Sequence, residues 1–95
     1  MRLYTNKVHE VVSMAINNLR SARMWEAEAL GAEELNNHNY YGIDYAMRKS
    51  DELWDIAKRQ YIISGDMRKA SPERVEALYR RAEALDMEAL KIENR

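Results

Sequence analysis

A chain of 95 residues fits one domain of ordinary size. Hydrophobic residues make up 46% and charged residues 33%, with three Gly and one Pro, an ordered and helix-rich composition that excludes intrinsic disorder. The lack of Cys excludes a disulfide scaffold, thiolate zinc sites and thiol chemistry, and a net charge of −1 leaves no global field to draw nucleic acid.

Charge is also balanced locally. Residues 1–47 hold four basic and six acidic groups, and residues 48–95 hold eleven and ten, so neither half is a basic patch. With no Phe, the large apolar side chains are six Tyr, two Trp, six Met and the aliphatics. Tyr and Trp carry polar tips, which predicts a modest core with wet edges. The segment Met1–Lys7 lacks the apolar core of a signal peptide. No apolar run approaches the ~18 residues that span a bilayer. The expected location is cytoplasmic.

The first predicted helix covers about residues 6–36, with Thr5 or Asn6 as its cap. Val8, Val11, Val12, Ala15, Ile16, Leu19 and Ala22 share one side at helical spacing. From Met24 onward the apolar side moves: Trp25, Ala32 and Leu35 project elsewhere, and Glu26 falls within the earlier stripe. Either this long helix kinks near Ser21 or its halves pack against different things. It runs out at Asn36-Asn37-His38-Asn39, a cluster of turn formers.

The second predicted helix covers about residues 41–63 and stops at Ser64-Gly65, with Gly65 as a left-handed cap. The third covers residues 72–93. Ser71 is its cap, Pro72 takes the first helical position and Glu73 adds negative charge to the first turn. Val75, Leu78, Ala82, Leu85, Ala89 and Ile92 follow at alternating steps of three and four, a heptad seam. Glu-Ala-Leu occurs three times, but all three are strong helix formers and no true repeat exists. Short connections make neighbouring helices antiparallel. The expected fold is all-α: one domain over residues 1–95, an up-down-up three-helix bundle with a long first helix.

Catalytic groups are scarce. His9 lies off the main stripe of the first helix and His38 in the Asn-rich turn, each explained by exposure or capping. His9-Glu10 begins like the zinc-protease motif, but Ser13 holds the second histidine position. Glu34 and His38, four apart, make at most two ligands at a helix end. Glu52-x-x-Asp55 and Glu73-x-x-Glu76 are similar to the paired acidic motifs of all-α nucleotide pyrophosphatases, yet Glu73 and Glu76 open a helix whose dipole already favours acids. No glycine-rich phosphate loop exists, and apart from Ser13, four residues after His9, no Ser has a His at helical spacing. Basic doublets such as Arg48-Lys49 and Arg80-Arg81 have acids close by. The residues therefore point to no catalytic site, no metal, no cofactor and no small-molecule substrate. They argue against nucleic-acid and membrane partners.

Asn39-Tyr40-x-x-Ile43 with Met47, Ser50, Ala57 and Arg81-Ala82-Glu83-x-Leu85 resembles the microtubule-interacting-and-transport domain, a three-helix bundle that docks partner helices in its grooves. Leu30-Gly31, Tyr40, Ile43 and Met47 resemble a tetratricopeptide unit. These resemblances imply helical packing with grooves, and no residue role is carried over from them.

The second helix has two apolar faces. Ile43, Ala46, Met47, Ser50, Leu53, Trp54, Ala57 and Tyr61 form a broad one. Tyr41, Tyr45, Ile56 and Ile63 form another on the opposite side, with Glu52 and Arg59 between them. Either this helix is sandwiched between the other two or its second face meets another molecule. Tyr is favoured at interfaces, so the expected partner-binding residues are Tyr40, Tyr41, Tyr45, Ile56 and Ile63. The expected function is non-enzymatic: binding another protein through a helical face, in the manner of a small phage-type inhibitor or adaptor. The alternatives are a self-associating assembly subunit, forming a homodimer, and, further off, a metal-dependent nucleotide hydrolase.

Overall fold

The computed structural model describes the backbone of residues 2–34 and 40–95, and the side chains of residues 6–31 and 42–95. Three helices follow in order: α1 (Arg2–Glu34), α2 (Tyr40–Lys69) and α3 (Pro72–Glu93). They form an all-α three-helix bundle in which α1 and α2 pack along most of their length and α3 packs against both. The up-down-up order is read from the pairing. Val8 and Val11 of α1 cluster with Ile63 and Met67 late in α2 and with Val75 and Leu78 early in α3. Ala22, further along α1, clusters with Leu53, Ile56 and Ala89.

Small residues bring α1 and α2 together. On α1, Val8, Val11, Ala15, Asn18, Ala22 and Ala29 are buried and Trp25 is half-buried, in steps of three and four that make a heptad seam. After Val8, every seventh position of the seam is alanine: Ala15, Ala22 and Ala29. Opposite them α2 sets Ser50, Ala57 and Ser64, also seven apart and also buried. Ser50 Oγ donates to the Ala22 carbonyl oxygen at 2.8 Å. A side chain with one methylene thus reaches the neighbouring main chain, which requires helix axes near the short end of the usual range of about 8–10 Å.

This seam also accounts for the apolar side that moves after Met24. Trp25 follows Ala22 at a step of three, so the seam continues through Ser21 within one uninterrupted helix. What stops is a second line, Val12, Ile16 and Leu19, which Arg23 and Glu26 interrupt.

The end of α2 differs from expectation. The helix runs on to Lys69, so Gly65 is an interior residue and not a left-handed cap. Gly costs about 1 kcal/mol relative to Ala inside a helix. Continuing the helix buries Met67 completely among Val8, Val11, Ile63, Val75, Leu78 and Ala82. Full burial of a Met side chain is worth about 1.5–3 kcal/mol, which outweighs the glycine. Ser64 donates its hydroxyl to the Tyr61 carbonyl at 2.7 Å, a bond available within a helix. The expected break at Ser64–Ser71 therefore narrows to Ala70 and Ser71, while the expected break at Asn36–Asn39 lies outside the described residues.

The third helix begins where the sequence reading placed it. Ser71 has extended backbone (φ −68°, ψ 158°) and Pro72 opens the helix, although the Ser71 hydroxyl makes no capping bond. Val75, Leu78, Ala82 and Ala89 are buried, and Leu85 and Ile92 partly so. Near the middle of the bundle a polar layer interrupts the apolar one. Asn18 Nδ2 donates to Gln60 Oε1 at 2.8 Å and to Asp86 Oδ1 at 3.1 Å. Gln60 Nε2 donates to the Ala82 carbonyl at 3.1 Å. Each helix contributes one side chain, so sliding any of them by a turn leaves buried polar groups unpaired, which fixes register.

Candidate functional site

On α2 the line Lys49, Ile56, Ile63 advances by sevens beside the line that faces α1, and α3 covers it. Ile56 packs with Leu53, Ala22 and Ala89, and Ile63 with Val8, Met67, Val75 and Leu78. Both isoleucines are buried among the helices, so at these two positions α2 is sandwiched, one of the two readings that its second apolar face allowed. The physical reason is position: α2 is flanked by α1 and α3 and needs an apolar stripe for each. Tyr45 is different. It is 43% exposed, sets its ring edge-on to Trp25 at 6.2 Å and donates its hydroxyl to the Arg95 main-chain oxygen. Tyr40 and Tyr41 open α2, but their side chains lie outside the described residues.

Sequence reasoning missed Lys49. Only 3% exposed, it stands over the rings of Trp25 and Tyr45, 4.4 and 4.6 Å from their centroids. Its Nζ donates to the main-chain oxygens of Glu93 at 3.0 Å and Arg95 at 3.3 Å. A cation is thus held at the carbonyl end of α3, where the helix dipole is negative and the last acceptors lack helical partners. Glu93 Oε2 accepts from Trp25 Nε1 at 3.3 Å, and Arg95 forms an ion pair with Glu52. The site is a clasp on α3. The one sequence signal for it is the seven-residue step from Lys49 to Ile56 and Ile63.

Outside that line, a groove runs between α2 and α3. One part of it, about 620 Å³, is lined by Ile62, Ile63, Ala84 and Leu85 together with Arg59, Asp66, Arg81 and Glu88. Beyond Arg59 a further 380 Å³ lies over Ile56 and Ile92 beside Asp51, Glu52 and Asp55. Ile62 is 56% exposed. Asp55 is paired with Arg59 and Glu52 with Arg95, which leaves Asp51, Asp66 and Glu88 against Arg81, so the rim is acidic.

The remaining candidates for chemistry are committed elsewhere. Glu76 pairs with Lys7 and with Arg80 (3.6 Å), and the hydrogen bond from Lys7 foremost lowers its carboxyl below the usual range. Asp55 pairs with Arg59 at 3.0 Å and Glu52 with Arg95. The Tyr79 hydroxyl donates to Glu10, which pushes its pKa up to about 12, with reduced hydration adding to the shift. His9 is exposed, and His38 lies outside the described residues. Among the described residues no three His, Asp or Glu side chains gather as a metal-ligand set, and no helix is long and apolar enough to cross a membrane. No protein family matches the chain, and no curated protein or solved structure matches it either.

Proposed function

We propose that the chain is a non-catalytic binding module, an adaptor or inhibitor, which takes a helix of another protein into the α2–α3 groove. The observation that carries this reading is the groove itself: an apolar floor with half-exposed Ile62, open along one side and rimmed by charge. An amphipathic helix about 10–12 Å across presents the matching shape, with its i, i+3, i+4 and i+7 side chains as anchors. The acidic rim favours a partner with basic residues flanking those anchors. Pairing of the acidic motifs with Lys7, Arg80, Arg59 and Arg95 weighs against a metal-dependent hydrolase. A chain without Cys suits the reducing cytoplasm, the location this reading assigns.

The test compares tagged wild-type chain, Ile62→Glu and Trp54→Glu in capture from the native cell. Ile62 and Trp54 are both exposed, and of the two only Ile62 lines the groove. The expected result is one protein retained by wild type and by Trp54→Glu and lost from Ile62→Glu. An identical retained set for all three variants would sink the reading.

A further inference from the structure

The face of the bundle opposite α3 is also apolar, and nothing in the chain's described residues covers it. On α1, Val12, Ile16 and Leu19 step by four and three on the flank away from the side chains that meet α3, namely Lys7, Asn18 and Trp25. On α2, Met47, Trp54 and Tyr61 step by sevens on the flank away from Lys49, Ile56 and Ile63. Ile16, Met47, Trp54 and Tyr61 remain 36–42% exposed. On α2 one heptad line is closed by α3 and one is open, and on α1 a shorter open line, Val12 to Leu19, lies beside it. A heptad line is the pattern that receives another helix, knobs into holes. On α1 the apolar part of the open face runs from Val12 to Leu19, about 10 Å at about 1.5 Å per residue, before Arg23 and Glu26 interrupt it.

Charge identifies the occupant. Ser50 bonds to the Ala22 carbonyl, so these two residues share a level. One residue beyond each, and 100° further round toward the open face, stand Arg23 on α1 and Asp51 on α2, both exposed. Arg23 at the end of the α1 line and Asp51 at the outer edge of the α2 line therefore carry opposite charges at nearly one height. A two-fold axis parallel to the helices lays α1 of one copy over α2 of the other, antiparallel as in the hairpin itself, and it brings Arg23 to Asp51 twice. This is the self-complementarity that an isologous interface needs.

We infer that the open α1–α2 face, centred on Leu19 and Trp54, is a homodimer interface in which two hairpins complete an antiparallel four-helix core, with α3 on the outside. The inference uses a different face from the floor of the α2–α3 groove, and Asp51, at the groove's far end, is the residue that the two surfaces share.

Sedimentation equilibrium from micromolar to near-millimolar concentration tests it, with circular dichroism on every variant. The wild type is expected to be a dimer at high concentration. Trp54→Glu is expected to weaken association more than tenfold at unchanged helicity, as loss of a central anchor does. Arg23→Asp and Asp51→Arg should each weaken it, and the double reversal should restore it. Both positions are exposed, so this arm does not depend on Trp54→Glu folding. A wild type that stays monomeric throughout would overturn the inference. So would a dimer indifferent to Trp54→Glu, a dimer without recovery in the double reversal, or one dissociated equally by Ile62→Glu.

Discussion

Replacing Asn18 and Gln60 by Leu, singly and together, interrogates the polar layer. Gln60 is fully buried, accepts from Asn18 at 2.8 Å and donates to Ala82 at 3.1 Å. Gln60→Leu deletes both bonds, each worth a net ~0.5–1.5 kcal/mol, and leaves the Asn18 amide with Asp86 alone. A loss of about 1–3 kcal/mol follows. Asn18→Leu leaves Gln60 Oε1 buried without a donor, and a stranded acceptor costs about 1–3 kcal/mol. In the double variant neither amide remains. Asp86, partly exposed, recovers water. The double variant is therefore expected to cost less than the two singles combined, by about 1–2 kcal/mol. Guanidinium denaturation followed by circular dichroism gives all three values. Thermal melts give a second reading, since 2 kcal/mol corresponds to about 8–16 °C in a domain of this size. Singles that cost under about 0.5 kcal/mol each, or costs that simply add, would refute the layer as a coupled unit.

Gly65→Ala is expected to stabilise by about 0.4–1 kcal/mol, because Gly65 is helical and an added Cβ meets nothing within 4 Å. A destabilised variant in chemical denaturation would mean that the helix breaks there after all. Leu53→Ala should cost about 2–5 kcal/mol, and more than Leu85→Ala, because Leu53 is fully buried and Leu85 only partly. The reverse order in the same assay would move the centre of the core to α3. Tyr79, with its folded pKa raised to about 12 against an ordinary 10, contributes stability that is complete below pH 10 and is lost as pH rises towards 12. Tyr79→Phe should flatten that alkaline loss, and an unchanged stability profile between pH 10 and 12 would contradict the Glu10 bond.

Much of the fold is legible in the residues. Ser71-Pro72 marks a helix start by local chemistry alone, and the α3 seam is strict because α3 has one buried face. The end of α2 was misread because glycine propensity is a local term, whereas the burial of Met67 depends on residues 56 and 59 positions earlier, Val11 and Val8. The second apolar face of α2 was visible, but a stripe covered by a neighbouring helix and one awaiting a partner have the same pattern. Their difference lies in where α3 sits. Lys49 is one of fifteen basic residues, and nothing local distinguishes a buried cation from a solvated one. Its role depends on the end of α3 arriving beside it. In the sequence the open α1–α2 face is continuous with the seam beside it, and the Ser50–Ala22 contact is what distinguishes the two lines.

The alanines of α1 impose a limit that is one of volume, not of hydrophobicity. Because Ala22 is fully buried and the Ser50 hydroxyl bonds to its carbonyl, a branched side chain there is expected to push α2 away. Valine would be as greasy and just as helical in pattern, yet it would push the helices apart and break that contact. A saturation map of tolerated substitutions along α1 should therefore show narrow columns at Ala15, Ala22 and Ala29, recurring every seventh residue, where only glycine, alanine or serine persists. Exposed Ala27, two residues before the last of them, should accept almost anything. Drift in this chain is thus steered by steric clearance between two backbones, a constraint that an average hydrophobicity profile does not register.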